Sequence, residues 1–100
     1  MTTALLGLGK GGATVNYLKF PLHLKSASTV VEVTLNGVES LVFLVDDSNL
    51  ASFERGGQYT YFDGHYKASP VILRAPSGGS WTVVVIPLGG RVEASVRTMG

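Results

Sequence analysis

The sequence predicts an all-β domain, an antiparallel β-sandwich that is jelly-roll-like or a small barrel, with little or no helix. From Val30 onward, apolar and aromatic residues form short runs bounded by Gly, Pro, Asn, Asp or Ser, which is the pattern of strands and turns. The runs recur at a spacing of roughly ten residues, as in sandwiches and barrels. No long segment keeps apolar residues at the spacing of three and four that an amphipathic helix requires.

Length and composition narrow the class of protein further. The chain has 100 residues, enough for one domain, and no cysteine, which excludes disulfides, thiolate metal sites and thiol nucleophiles. Eight Lys and Arg residues balance seven Asp and Glu residues without a basic cluster, so nucleic acid is not an expected partner. No apolar stretch approaches the roughly 18 residues of a membrane span, and no signal peptide is evident. We therefore expect a cytoplasmic protein that does not enter a membrane.

The strands can be justified in chain order. In the first clear run, Val30–Leu35, Val31 and Val33 share one face with Leu35, and Asn36-Gly37 closes the run with a strong turn signal. Further strands are predicted at 41–46, 58–62, 71–75, 81–86 and 91–97. In the last of these, apolar residues alternate strictly with polar ones, which predicts one buried face and one solvated face.

Two segments differ from this alternation. Trp81–Ile86 is apolar on both faces, so it is the best candidate for a central strand, with Trp81 in the core. Ser48–Arg55 begins with Asp-Ser-Asn capping chemistry and is expected to form a helical turn or two.

The N-terminus contains GLGKGG at residues 7–12, which matches the dinucleotide-binding pattern G-x-G-x-x-G. That pattern works where glycines join a strand to a helix, whose N-terminus binds the pyrophosphate. Here the following residues are strand-like and Pro21 interrupts them, so no nucleotide and no other cofactor is predicted. Strands are instead expected near Thr3–Leu8 and Ala13–Leu18. We assign residues 1–14 to an N-terminal extension, a hairpin or a flexible arm, and residues 15–99 to the sandwich domain.

Several segments, in order and spacing, resemble one known family. They are Tyr17–Leu24, Val31–Gly37, Leu44–Asn49, Gly64–Tyr66, Ser69-Pro70, Pro76–Trp81, Leu88–Val92 and Ala94–Arg97. In these segments the chain resembles a family of small bacterial proteins catalogued as domain of unknown function 1883. The resemblance implies an all-β sandwich and no established activity. Some relatives carry a similar domain attached to TIR-type signalling domains, which suits a recognition or assembly module.

The chain departs from the family pattern in its N-terminal extension and at Phe43, where the family is more often polar or basic. An apolar residue on a solvated face is typical of an interface, so Phe43 is predicted to be an interface residue.

Two neighbouring loops, 46–55 and 58–66, contain the candidate ligand-binding residues. Tyrosines combine apolar faces with hydrogen-bonding edges, and beside polar and charged groups they can stack a sugar, a nucleobase or a peptide side chain. The predicted site comprises Asp46, Asp47, Asn49, Arg55, Tyr59, Tyr61, Asp63, His65 and Tyr66.

Other chemistries fit these residues less well. His65 oriented by a carboxylate, with Ser48 or Ser69 as nucleophile, would make a hydrolase. Asp46 to Asn49 place hard oxygen donors close together, as calcium requires, but Asp and Asn at a strand exit are also ordinary turn and cap residues. Only two histidines are present for zinc.

We therefore predict no metal, no catalytic residue and no enzymatic activity. The expected function is a binding or interaction module for an unknown protein or a small, carbohydrate-like ligand. The alternative is a structural, oligomerisation or partner-docking protein, and a homo-oligomer is compatible with either.

Overall fold

The computed structural model describes residues 2–6, 17–64 and 69–99. Two antiparallel sheets pack face to face, and one short helix lies outside them, which confirms the predicted fold class. The elements in chain order are β1 (Thr2–Leu6), β2 (Leu18–Leu24), β3 (Val30–Gly37), β4 (Ser40–Asp46), α1 (Asp47–Glu54), β5 (Phe62–Gly64), β6 (Val71–Arg74), β7 (Gly79–Pro87) and β8 (Val92–Met99).

The strand pairing is nested. β4 pairs with β5, β3 with β6, β2 with β7 and β1 with β8, as in one long antiparallel hairpin. Rolling this hairpin up adds the pairs β3–β8 and β4–β7. The result is a first sheet of order β1-β8-β3-β6 and a second sheet of order β2-β7-β4-β5. Eight strands rolled in this way form a jelly roll, the first of the two architectures that the sequence predicts.

The main core lies between the sheets and follows the predicted alternation. Val31 and Val33 of β3 are fully buried, as are Val92 and Ala94 of β8. Trp81 also joins this core, and β7 is central, paired with β2 on one side and β4 on the other. Since every second residue of these strands points inward, a local two-residue period was enough to predict the core.

A second apolar cluster lies on the outer side of the second sheet. Phe43, Val45 and Val84 are all 0% exposed there, because α1 and the segment after it cover them. The prediction that Phe43 is an exposed interface residue is therefore wrong. Its face is apolar, as the sequence indicates, but the chain's own helix occupies it.

The segment around β5 also differs from the prediction. A strand was expected at 58–62, whereas residues 58–61 have no regular structure and β5 is limited to Phe62–Gly64. Tyr59 instead packs against the second cluster. At Gly64 a Cβ atom would lie 2.5 Å from the Cβ of Phe43 and 2.6 Å from the carbonyl oxygen of Val42, so only glycine fits this close approach.

At its other end β3 closes at Gly37, as predicted, and the chain then passes through Val38 and Glu39 from the first sheet to the second. Gly37 has a φ of 126°, and a Cβ there would lie 2.4 Å from the carbonyl oxygen of Arg91. The glycine of the Asn36-Gly37 signal is thus also required by close packing against the backbone of Arg91.

The N-terminal predictions are only partly covered by the described residues. Thr2–Leu6 forms a strand that pairs with β8. The GLGKGG stretch and most of Ala13–Leu18 lie outside the described residues. β2 begins at Leu18 and continues through Pro21, which an edge strand tolerates.

Candidate functional site

The start of α1 is organised by two of the predicted site residues. The Asp46 side chain caps the helix: its Oδ1 accepts hydrogen bonds from the Asn49 backbone N at 2.8 Å and from Asn49 Nδ2 at 3.0 Å. Asn49 Oδ1 accepts in turn from the backbone N of Thr60 at 2.8 Å. Asp46 and Asn49 therefore connect the helix to the segment that returns after it.

These bonds bear on the calcium alternative. Asp46 Oδ1 and Asn49 Oδ1 both accept hydrogen bonds from within the protein, as cap and turn residues do. Within the ranges that the structure describes, no group of three or more His, Cys, Asp or Glu side chains is arranged to bind a metal ion.

The end of α1 is fixed to β2 by an ionic contact. Glu54 Oε2 accepts from the Tyr17 hydroxyl at 2.5 Å and from Lys19 Nζ at 2.7 Å. Burial, together with the hydrogen bond to Glu54 and its charge, raises the pKa of Tyr17 to about 12. The hydrogen bonds from Lys19 and Tyr17 lower the pKa of Glu54. The helix is thereby positioned across the second sheet, above Phe43.

An aromatic cluster fills the space between α1 and the sheet. The Phe53 ring makes edge contacts with Tyr17 at 5.0 Å, with Tyr59 at 5.1 Å and with Phe43 at 5.7 Å between centroids. Tyr59 also stacks on Phe43 at 5.6 Å, with 24° between the ring planes. Because the Tyr59 ring contacts both Phe53 and Phe43, its orientation is fixed by packing.

An open depression of about 590 Å³ lies beside this ring, where the chain returns from the helix. The chain reverses there because the backbone N of Gly57 donates to the carbonyl oxygen of Ser52 at 2.8 Å, and Gly56 adopts a φ of 78°. The depression is lined by Asn49, Gly57, Gln58, Tyr59 and Thr60. None of these side chains carries a charge. The Gln58 amide and the Thr60 hydroxyl have no hydrogen-bond partner in the part of the chain that the structure describes.

The structure thus brings together Asn49 and Tyr59 of the predicted site, with Asp46 behind them. Tyr61 lies nearby and its ring contacts Phe43 at 5.7 Å. Arg55 donates to the Ser52 hydroxyl at 3.3 Å, and Asp47 is exposed in the first turn of α1. Asp63 lies in β5, and His65 and Tyr66 lie outside the described residues.

Sequence reasoning missed Gly57, Gln58 and Thr60 as lining residues. The available signal was the Gly56-Gly57 pair after the capped helix, because adjacent glycines favour a chain reversal.

The serines named for the hydrolase alternative have separate positions. The Ser69 hydroxyl accepts from the backbone N of Leu35 in the first sheet at 2.8 Å. Ser48 is exposed in the first turn of α1, against the second sheet.

The strand order and the helix-covered second sheet define a small jelly-roll domain of the all-β class. In a comparison with models of protein families, residues 15–99 match the Domain of unknown function (DUF1883), and the chain belongs to this family. The resemblance carried by its sequence motifs is thereby confirmed. No curated protein and no solved structure matches the chain. No helix among the described residues has the length and apolar character needed to cross a membrane.

Proposed function

We propose that this protein is a non-enzymatic, cytoplasmic binding module that recognises a neutral, hydroxyl-rich ligand of the carbohydrate type. The proposed site is the depression formed by Asn49 and residues 57–60. One observation carries the proposal: the described lining residues combine a packed tyrosine ring with amide and hydroxyl groups, and none of them has a charged side chain.

This lining matches the chemistry of a sugar. Each sugar hydroxyl both donates and accepts hydrogen bonds, and the Gln58 amide and Thr60 hydroxyl offer both functions in return. The apolar C–H face of a sugar ring can lie against an aromatic ring such as Tyr59. An ionic ligand would find no counter-charge among the described lining residues.

The predicted residues Asp46 and Asn49 then have a positioning role. Asn49 orients the backbone of Thr60 through its Oδ1 atom, and Asp46 orients Asn49. Their side chains place the returning segment, and Gln58, Tyr59 and Thr60 contact the ligand.

The test is a panel of neutral mono- and oligosaccharides, measured by thermal shift and by chemical-shift changes of backbone amides. Binding to the native state raises the melting temperature with increasing ligand concentration. We expect saturable shifts centred on residues 57–60 in the wild type. Gln58→Ala should weaken binding about tenfold without changing the melting temperature of the free protein, since the side chain is exposed and unpaired. Thr34→Val, an exposed position on the first sheet, is the matched control.

A panel without any saturable shift would count against the proposal, as would sugar binding that is equally strong in Gln58→Ala. In either case the partner-docking or self-association alternative gains weight, and light scattering over a range of concentrations tests it directly. Its surface would then be one other than that of the buried Phe43.

A further inference from the structure

A second, smaller cavity lies at the edge of the sandwich, where the end of β2 approaches the end of β8. Its volume is about 210 Å³, and it is lined by His23, Lys25, Thr29, Thr98 and Met99. It shares no residue with the depression beside Tyr59. Whatever occupies it is therefore independent of the proposed sugar site.

The strand register places the lining residues of the cavity at one corner of the sandwich. Thr2, the first described residue of β1, lies opposite Val96 of β8. From Arg97 to Met99, β8 is paired with β3. On the other side, β2 ends at Leu24, and a turn in which the Thr29 backbone N donates to the Ser26 carbonyl oxygen at 3.1 Å leads into β3. The lining residues of the cavity come from these two strand ends and from the turn between β2 and β3.

Thr29 is the unusual residue of this corner. It is 5% exposed, and its Oγ1 is a buried side-chain atom with no hydrogen-bond partner among the described residues. Leaving a buried hydroxyl without a partner is unfavourable, and a valine of nearly the same shape would avoid that cost. Because Thr29 also lines the cavity, its hydroxyl is a candidate donor to a group bound there.

The charge of the lining indicates what kind of partner this is. Lys25 is exposed and forms no ion pair within the described ranges, and the imidazole of His23 lies on the same lining. Thr29 and Thr98 contribute hydroxyl groups, and none of the described lining residues has a carboxylate side chain. An ammonium group beside hydroxyl donors is complementary to an oxyanion, whose hydrogen bonds to a charged donor are the strong ones.

We propose that this cavity binds an oxyanion, the phosphate or carboxylate group of a small ligand, with Lys25 as the charged donor and Thr29 as the buried one. The volume exceeds the roughly 30 Å³ share of one water molecule several-fold, so a group of a few heavy atoms fits. The proposal assigns the protein a second ligand class, distinct in charge from the neutral ligand at the first site.

The test uses inorganic phosphate and acetate as probes in separate titrations at constant ionic strength, with chloride as the reference anion. We expect saturable changes in the amide resonances of Lys25, Thr29 and Thr98 and a rise in melting temperature with phosphate, acetate or both. The two arms distinguish a phosphoryl from a carboxylate ligand. Lys25→Gln should weaken binding about tenfold, as the loss of a charged hydrogen bond does.

Two further variants make the test specific. Arg91→Gln removes one positive charge at a position that does not line this cavity and should leave binding unchanged. Thr29→Val should weaken binding while leaving the free protein equally stable or more stable, a combination that a purely structural threonine would not show. Three results would overturn the proposal: no saturable response beyond that of chloride, an equal loss of binding in Arg91→Gln, or a free Thr29→Val protein that is less stable than the wild type.

Discussion

At the scale of the residue, Asp46 is compatible with several chemical roles when only its sequence position is known, and the structure assigns it one of them. Its position at a strand exit is compatible with a ligand site, a metal site or a helix cap. In the structure its Oδ1 caps α1 and also binds the Asn49 side chain, 3.0 Å away. Asp46 is therefore a positioning residue for the depression.

This role predicts a loss of stability when Asp46 is truncated. Asp46→Ala removes the N-cap and should lower the free energy of unfolding by about 1 kcal/mol in urea denaturation. Asp47→Ala is the matched control, because Asp47 is exposed and gives no cap bond; it should cost a few tenths of a kcal/mol at most. Equal losses in the two variants would contradict the capping role.

At the scale of the element, α1 covers part of the second sheet although none of its own residues is fully buried. It nevertheless excludes solvent from Phe43, Val45 and Val84 beneath it. Because its own burial is partial, its position depends on the Phe53 ring contacts and on the contact of Glu54 with Tyr17 and Lys19.

The Glu54 contact predicts a pH dependence. The lowered pKa of Glu54 means that its contribution is present above the ordinary value of 4.5 and is lost as pH falls through the folded-state pKa. The raised pKa of Tyr17 acts in the opposite direction: its contribution is present below 10.0 and is lost as pH rises through about 12. We expect the helix contact to be intact between these limits and to weaken on either side.

Ring resonances of Tyr17 followed by NMR should titrate near 12. Glu54→Gln should lower this pKa only in part, because burial is the largest cause of its rise and remains in the variant. Glu39→Gln, an exposed glutamate between β3 and β4, is the control and should leave the titration of Tyr17 unchanged. A complete return to 10.0 in Glu54→Gln would show that burial is not the main cause.

The elements also show which parts of the structure can be predicted from sequence. The core faces of β7 and β8 were predictable, because a two-residue period is a local signal. The burial of Phe43 of β4 beneath α1 was not predictable, since the sequence shows that Phe43 is apolar but not whether a helix or a partner buries it. For the same reason Tyr59 and Tyr61 suggested a strand: aromatic residues suit strands, but here they serve the cluster under α1.

The candidate site was predictable to a similar extent. The run of polar side chains at the strand exit located Asp46 and Asn49 as site residues, and aromatic composition located Tyr59. Gln58 and Thr60 became lining residues only through the reversal at Gly57, which depends on where the helix ends. The second cavity was beyond sequence reasoning, because its lining comes from two strand ends and a turn that only the fold brings together.

At the scale of the whole molecule, the two sheets differ in what covers them. The outer face of the second sheet is occupied by α1, whereas the outer face of the first sheet carries the ion pair of Arg97 with Glu32 at 2.7 Å and a 42% exposed Ile72. Both proposed ligand sites lie at the margins of this sandwich. Among the described elements, none packs on the outer face of the first sheet.

The nested pairing of the strands has a consequence for the order of folding. The β4–β5 pair joins strands separated only by α1 and a short return, whereas the β1–β8 pair closes a chain loop roughly fivefold longer, at an extra entropic cost of about 1.4 kcal/mol. We expect the innermost pair to form first and the outermost to form last. In stopped-flow kinetics, Leu44→Ala in β4 should mainly slow folding, and Val96→Ala in β8 should mainly accelerate unfolding. The opposite result, slower folding of Val96→Ala and faster unfolding of Leu44→Ala, would mean that the β1–β8 pair forms first. In that case α1 would pack on a sheet that has already formed.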